Sequence, residues 1–252
     1  MRTRSVLTAV LLLISAIVYA QDSYEISWDY RGQSFRDFVS RTESVYPVGE
    51  GSAGFNVRGG SADQNLILLY GAPLYNSSHF FGFFSAVNPD IIKDVTLYKG
   101  GIPSRYGGRL SSVMDIVSRE GNRRVFAGSA GISPVTAHFT AEGPVKKDTL
   151  YYLVSGRTTF NNWVFGLMDN LSLRNSHASF DDLNASAYYD LNRKNKIDIS
   201  AYYSFDSFRY NSDTTFTYRN NIASLRWRHF FPAAFFLFYL FITVFINTKY
   251  QA

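Results

Sequence analysis

The feature that most constrains the fold is a regular alternation of apolar and polar residues in the second half of the chain. Within 196–205, every odd-numbered residue is apolar and most even-numbered ones are polar. The segment 183–191 repeats the scheme, and the polar run 192–195 joins the two as a hairpin. Side chains of a β-strand alternate between its two faces, so both segments are predicted to be strands with one apolar face.

Three more segments follow this pattern and extend the predicted sheet. Segments 125–142 and 149–160 flank a polar turn at 143–148, and 221–230 adds a further strand, giving about five strands in residues 121–230. Strands of about ten residues with short polar turns are typical of transmembrane β-barrels. A soluble β-sandwich has the same period. Strand length and the high aromatic content, 22 Phe and 18 Tyr, favour the barrel.

Upstream, residues 54–118 contain four glycine-bearing motifs. They read FNVRGG (55–60), LILLYGAP (66–73), VNPDIIKDVTLYKGGIP (87–103) and RYGGRLSSVMDI (105–116). Apolar runs at 66–69, 91–97 and 112–117 predict a small mixed sheet. Seven glycines are expected to supply positive φ or close backbone approach: Gly59, Gly60, Gly71, Gly100, Gly101, Gly107 and Gly108.

In this order, the four motifs resemble the plug domain of TonB-dependent outer-membrane transporters. The resemblance implies an α+β plug domain followed by antiparallel transmembrane β-barrel strands. Tyr70 departs from it, because the family usually has an acidic residue there that can hydrogen-bond its own turn. Either the adjacent glycine and proline hold the turn alone, or the loop geometry differs.

The N-terminal residues have the organisation of an export signal and a small separate piece. Arg2 and Arg4 precede an apolar run at 6–18 and a small-residue exit, which predicts a cleaved signal peptide over 1–20. A signal anchor is the alternative. Residues 21–46 resemble the start of an N-terminal signalling module, with a strand near 24–28 and a helix from Ser34. The plug would then span 47–120, shortened at its N-terminus and without a recognisable TonB box.

The predicted strands are too few for a complete transporter. A plugged barrel has about 22 strands, and an open strand edge is not viable in lipid. Residues 231–252 form an apolar tail without alternation, either a transmembrane helix beginning near Pro232 or an out-of-frame product. We therefore expect a truncated receptor with an incomplete barrel.

No residue pattern indicates an enzyme, a cofactor or a metal site. The four histidines are scattered, cysteine is absent, and the glycine pairs lack the sequence of a phosphate-binding loop. The net charge of +5 falls by two, to +3, without Arg2 and Arg4, and no basic cluster points to nucleic acid.

Mapped by motif, the resemblance places two kinds of site residue in the plug. The segment 75–84 would be a ligand-facing loop, with Tyr75, Asn76, His79, Phe80 and Phe81 as its contact residues. Alternatively, its phenylalanines pack against the barrel wall. A second set, Arg58, Arg105 and Arg109, would latch the plug to barrel glutamates, because a buried guanidinium needs a carboxylate partner.

The function implied by the resemblance is energised nutrient uptake at the cell outer membrane. The intact form would bind a nutrient ligand and import it through a plugged barrel. Its expected partners are the TonB complex and outer-membrane lipid, with a surface lipoprotein as a further candidate. Two alternatives stay open: a non-functional truncated remnant, and a small membrane-tethered plug-like binding protein.

Overall fold

The computed structural model describes residues 25–29, 45–47, 54–79, 84–167, 169–211, 214–230 and 236–251. The signal peptide expected over 1–20 and the helix expected from Ser34 lie outside them. The strands before residue 120 are β1 (Glu25–Asp29), β2 (Val45–Pro47), β3 (Phe55–Val57), β4 (Asn65–Leu69), β5 (Ala72–Pro73), β6 (Ser78–His79), β7 (Phe84–Ser85), β8 (Ile92–Tyr98) and β9 (Ser112–Ser118).

The later strands are longer, and two short helices lie among them. They are β10 (Ala127–Ile132), β11 (Thr136–Lys146), β12 (Leu150–Thr159), β13 (His177–Asn192), β14 (Asn195–Tyr210), β15 (Thr214–Phe230) and β16 (Phe236–Gln251). The helices α1 (Asn162–Gly166) and α2 (Leu171–Arg174) both lie in the connection between β12 and β13.

The region that resembles the plug is built on a mixed five-stranded sheet, as the sequence predicts. Its strand order is β1-β8-β9-β4-β5, and β4 pairs with β9 in parallel while the other pairs are antiparallel. Leu69, Leu97 and Met114 are fully buried in its core. In the described residues, its helical part is two short 3-10 turns, Ala62–Gln64 and Pro89–Ile91.

The turn after β4 explains how a tyrosine replaces the usual acidic residue. Tyr70 and Gly71 are the two central residues between β4 and β5, and both have positive φ, +57° and +77°. Positive φ at both central positions is the pattern of a type I′ hairpin turn. The turn therefore holds a strained tyrosine, and the phenol of Tyr70 reaches across to β13.

Strand β1 lies at the edge of the plug sheet. It pairs with β8 over five residues, from Glu25 opposite Tyr98 to Asp29 opposite Asp94. The sequence assigns this strand to a separate N-terminal module, yet its backbone hydrogen bonds go to the plug sheet. The module itself stays a prediction.

Strands β10 to β16 form one antiparallel sheet in chain order, which we call the wall sheet. Six of its strands lie in residues 121–230, one more than expected. The segment 125–142 forms two strands joined by a turn at Ser133-Pro134-Val135. The Ser133 hydroxyl accepts hydrogen bonds from the backbone amides of Val135 and Thr136. β11 also continues to Lys146, so the turn predicted at 143–148 is confined to 147–149. Within the described residues the sheet is open.

Residues 236–251 are a strand, which contradicts one of the two alternatives for the apolar tail, the transmembrane helix. β16 pairs antiparallel with β15 from Phe230 opposite Phe236 to Thr215 opposite Gln251. An apolar run without alternation does not distinguish a helix from a strand, and the long neighbouring edge of β15 supplies the backbone partners. Among the helices of the described residues, none is long and apolar enough to cross a membrane.

The wall sheet has an apolar exposed face and a covered face that mixes polar side chains with buried apolar ones, among them Tyr151, Leu153 and Ile222. The covered face packs on the plug and carries buried polar side chains, among them Asn184, Ser200 and Ser204. The opposite face exposes large apolar side chains: Leu183, Ile199, Tyr203, Leu225 and Trp227. An apolar exposed face is the reverse of a soluble sandwich, whose exposed face is polar.

Candidate functional site: the interface between plug and wall sheet

Hydrogen bonds attach the plug to the covered face of the wall sheet. The Tyr202 hydroxyl donates to the Ala86 carbonyl at 2.8 Å, and Thr140 donates to the Asp90 carboxylate at 3.1 Å. The Ser224 hydroxyl donates to the carbonyl of Tyr70 at 3.3 Å. Polar wall residues thus meet backbone and side-chain groups of plug loops, which leaves these buried groups satisfied.

The most buried of these contacts centres on His79. Its side chain has no exposed surface, and its Nδ1 lies 2.9 Å from both carboxylate oxygens of Asp206 on β14. Its Nε2 lies 3.5 Å from Asp182 on β13, an ion-pair distance. The ring stacks on Phe180 with centroids 4.3 Å apart and planes 8° from parallel. Two wall strands therefore hold the imidazole by charge and by stacking.

Arg157 of β12 completes this cluster. Its guanidinium binds the Asp182 carboxylate at 2.7 Å and donates to the Ser85 carbonyl of the plug at 2.7 Å. Burial alone would lower the pKa of His79, but the contacts with Asp182 and Asp206 and the charge of Asp206 outweigh burial and raise it. An imidazolium here gives two cations and two carboxylates, a balanced buried cluster.

A cavity of about 370 Å³ opens beside this cluster, between the plug segment 76–78 and strands β13 to β15. Six of its lining residues carry its chemistry: Asn76, Ser78, Asp206, Phe208, Phe216 and Tyr218. We call it the apical cavity. It lies at the end of the wall sheet that carries the 17-residue connection between β12 and β13, because its lining includes the second residue of β13.

The predicted ligand-facing loop divides between the cavity and the interface. Tyr75 is 60% exposed and Asn76 lines the cavity, but His79 is turned into the wall sheet and presents no surface to a ligand. Phe80 and Phe81 lie outside the described residues. Phe84 contacts Phe180 of the wall, with ring centroids 5.2 Å apart, as the alternative of wall packing expects.

The three predicted latch arginines lie within the plug. Arg105 donates to the hydroxyls of Tyr98 and Tyr106, at 3.4 and 3.1 Å, and its guanidinium lies 4.7 Å from the Tyr106 ring centroid. Arg58, at φ +50°, lies against Gly100. The charge of Arg109 helps to lower the pKa of Asp63, after the larger effects of hydrogen bonds from Ser61 and the Asp63 backbone. Their role as latches to barrel glutamates stays a prediction.

The seven predicted turn glycines differ in backbone φ and in the space available for a side chain. Positive φ occurs at Gly59, Gly71, Gly101 and Gly108. A Cβ on Gly60 would overlap the side chain of Ser111, and one on Gly100 would lie 2.7 Å from Nη1 of Arg58. Gly107 has open space around it.

At the opposite end, an ionic cluster that the sequence did not reveal anchors the linker, residues 119–126, between plug and wall. Glu120 pairs with Arg123 at 2.6 Å and with Arg228 of β15 at 3.6 Å, and it accepts a hydrogen bond from the Tyr151 hydroxyl at 2.9 Å. Arg123 also binds Asp190 of β13 at 2.9 Å. Glu120 and Arg123 are three residues apart, but their partners on the wall sheet lie 31–108 residues away along the chain, so no local pattern marks the cluster.

Comparison with known proteins agrees with the motifs. Residues 23–112 match the model of the TonB-dependent receptor plug domain. No curated protein sequence matches the chain.

Three solved receptors share the fold of most of the chain. The siderophore receptor PirA from Acinetobacter baumannii is 17% identical, with a TM-score of 0.62 over 82% of this chain and 38% of that one. PirA from Pseudomonas aeruginosa is 15% identical, with a TM-score of 0.62 over 92% and 41%. The ferric citrate transporter FecA in its unliganded form is 14% identical, with a TM-score of 0.63 over 91% and 41%.

The chain therefore spans about two fifths of the length of the solved receptors that it matches. The match to the plug model rests on sequence, and the likeness of the following strands rests on fold. Together they confirm the family recognised from the four motifs. Residues 23–112 match the TonB-dependent receptor plug domain, and strands β10 to β16 share the fold of the strands that follow the plug in the solved receptors.

Proposed function

We infer that this chain is part of an outer-membrane receptor that binds a nutrient ligand and imports it past the plug with energy from the TonB complex. The observation that carries this inference is the apolar exposed face of the wall sheet. An apolar outer face is what a β-barrel in lipid requires.

The lengths of the connections support an orientation for the receptor. Residues 160–176 form a long connection with two helices at the end of the apical cavity, whereas the turns 147–149 and 193–194 at the other end are short. Outer-membrane barrels have long extracellular loops and short periplasmic turns. The apical cavity would then face the outside and the linker the periplasm, so a ligand arrives at the cavity and leaves past the plug.

The tethered binding protein loses its main support, because it needs an apolar helix after residue 230 and residues 236–251 form a strand. Solved structures with this fold are described as a siderophore receptor and a ferric citrate transporter. Iron chelates are therefore one ligand class to test for this chain, beside the class that the cavity itself suggests below.

Site-directed spin labelling tests the membrane assignment, and the absence of native cysteine makes single labels simple. In the native gene product in outer-membrane vesicles, a label at Leu225→Cys should be relaxed by oxygen and not by a water-soluble nickel chelate. The control Tyr75→Cys, on the exposed plug loop, should respond to the nickel chelate. Nickel relaxation of the Leu225 label would place the outer face in water and refute the proposal.

TonB dependence is a separate test of import. Deleting the energy-transducing partner from the same cells should abolish accumulation of the ligand without changing its binding at the surface. Accumulation that persists without that partner would contradict energised import.

A further inference from the structure

Asp206 both contacts His79 and lines the apical cavity. Both of its carboxylate oxygens contact Nδ1 of His79 at 2.9 Å, and the same residue lines the apical cavity. Asp182, the other carboxylate at His79, is bound instead by Arg157 at 2.7 Å. Among the described contacts, Asp206 therefore has only the imidazole as its charged partner.

The rest of the cavity lining suits a cation. Three aromatic residues, Phe208, Phe216 and Tyr218, stand beside the carboxylate, and no lysine or arginine is among the described lining residues. Aromatic faces attract cations through their quadrupole, most strongly where water is excluded, and quaternary ammonium groups are bound in this way. Asn76 and Ser78 add polar groups that fix the orientation of a ligand.

We propose that the apical cavity binds an organic ammonium group on Asp206, and that this group competes with His79 for the carboxylate and so loosens the plug from the wall sheet. The proposal rests on the receptor function proposed above and adds a ligand class and a route from cavity to plug. A single residue couples the cavity to the plug, because the Asp206 carboxylate contacts His79 and would also bind the ammonium group.

Competition for Asp206 couples binding to a proton. The charged groups that face His79 are Asp182 and Asp206 from the wall strands, and Arg157. A ligand cation at Asp206 takes away one of the two carboxylates that favour the protonated imidazole, so His79 releases its proton to solvent more readily. Ammonium affinity should then increase with pH until His79 is neutral in the free protein.

Choline and its neutral isostere 3,3-dimethylbutan-1-ol make a matched pair of probes. They differ by one positive charge at nearly equal shape. In calorimetry with the native gene product, choline should bind and the alcohol should not, at concentrations up to about 10 mM, which cover a weak site. Choline affinity should fall about tenfold or more in Asp206→Asn. Asp181→Asn, the neighbouring carboxylate on the outer face, should leave it unchanged.

Two readouts separate competition from simple binding. Choline should speed hydrogen exchange at the Ala86 amide, which donates to the Ser77 carbonyl at 3.0 Å beside the cluster. His79→Gln should keep choline binding but lose its pH dependence. If choline fails to bind, binds no better than the alcohol, or binds without changing exchange at Ala86, the proposal is refuted. The spin-label result at Leu225 is independent of all three outcomes and tests the receptor function alone.

Discussion

At position 70, a tyrosine adopts the left-handed backbone conformation that glycine, asparagine and aspartate reach more readily. The strain of a non-glycine residue in this region costs of order 1–3 kcal/mol. The Tyr70 side chain is buried and its hydroxyl lies 3.4 Å from Oδ1 of Asn184. Burial of the ring at the wall sheet offsets the strain, so the turn that an acidic residue would stabilise locally is stabilised here by a contact 114 residues away.

His79 makes the stability of the interface between plug and wall sheet depend on pH. Because its pKa is raised in the folded protein, its stabilisation of the interface is fully present below the ordinary value of 6.5 and is lost as pH rises through the folded pKa. The extra protection of the Ala86 amide in wild type over His79→Gln should therefore shrink with increasing pH. Exposed His177 offers the control, since His177→Gln should not alter the profile. A difference that grows with pH would contradict this reading.

The space around Gly60, and not its backbone φ, determines the cost of replacing this glycine. Gly60→Ala should destabilise the plug by about 1–3 kcal/mol, because the new methyl group overlaps Ser111, whose hydroxyl donates to the Val57 carbonyl. Gly107→Ala is the matched change in the fourth glycine-bearing motif, at a position with open space around it. Urea unfolding of the two variants should separate them clearly. Equal midpoints would mean that Ser111 moves aside at no cost.

At the scale of elements, the linker is the piece that joins plug and wall covalently and is also fixed by charge. Arg119 binds Glu142 of β11 at 2.6 Å and donates to the Asp90 carbonyl of the plug, also at 2.6 Å. With the contacts of Glu120 and Arg123, the linker thus contacts β11, β12, β13 and β15. It is anchored along the base of the wall sheet.

Glu120→Gln should weaken this anchor by up to about 1 kcal/mol, since the carboxylate loses its charge-assisted contacts with Arg123 and Arg228 at a site that solvent partly screens. The pKa of Glu120 is lowered because these arginines and Tyr151 outweigh the effect of burial. The difference from wild type should accordingly disappear as pH falls through that lowered pKa. Asp148→Asn breaks an exposed pair with Arg124 and should change the urea midpoint little.

Sequence patterns predict elements where periodicity is local and miss them where pairing decides. Alternation over 196–205 and 183–191 predicts β13 and β14 correctly. The hairpin turn at Ser133-Pro134-Val135 is missed because the small and apolar residues around it read as one continuous run. β16 has no alternation and is a strand because the edge of β15 pairs with it along its length.

For the molecule as a whole, the wall sheet separates two environments: its covered face contacts the plug, and its opposite face exposes apolar side chains. That the sheet has two different faces could be inferred from alternation, but the partner of the covered face could not. The ion pairs of His79 join residues 103 and 127 positions apart, and the apical cavity is formed by segments just as distant. A single sequence contains no local signal for contacts between such distant residues. The fold could therefore be predicted from the sequence, but the site only in part.

A charge on the exposed face measures that environment directly. Ala223→Arg, near the middle of β15, should cost about 2–4 kcal/mol of folding free energy in lipid. Thr217→Arg lies six residues nearer the strand end and should cost about 0–1 kcal/mol. Denaturant titration of the native gene product in phospholipid vesicles makes the comparison. Equal and small costs would show that this face meets water.

The edge position of β1 has a mechanical consequence. β1 has one neighbour, β8, and the two share a five-residue ladder, whereas β8, β9 and β4 are each bonded on both sides in the plug sheet. A pull on the chain ahead of Glu25 therefore loads one short ladder first. We expect the sheet to yield by one strand at low force, while its interior strands and the linker, which ion pairs hold to the wall sheet, resist.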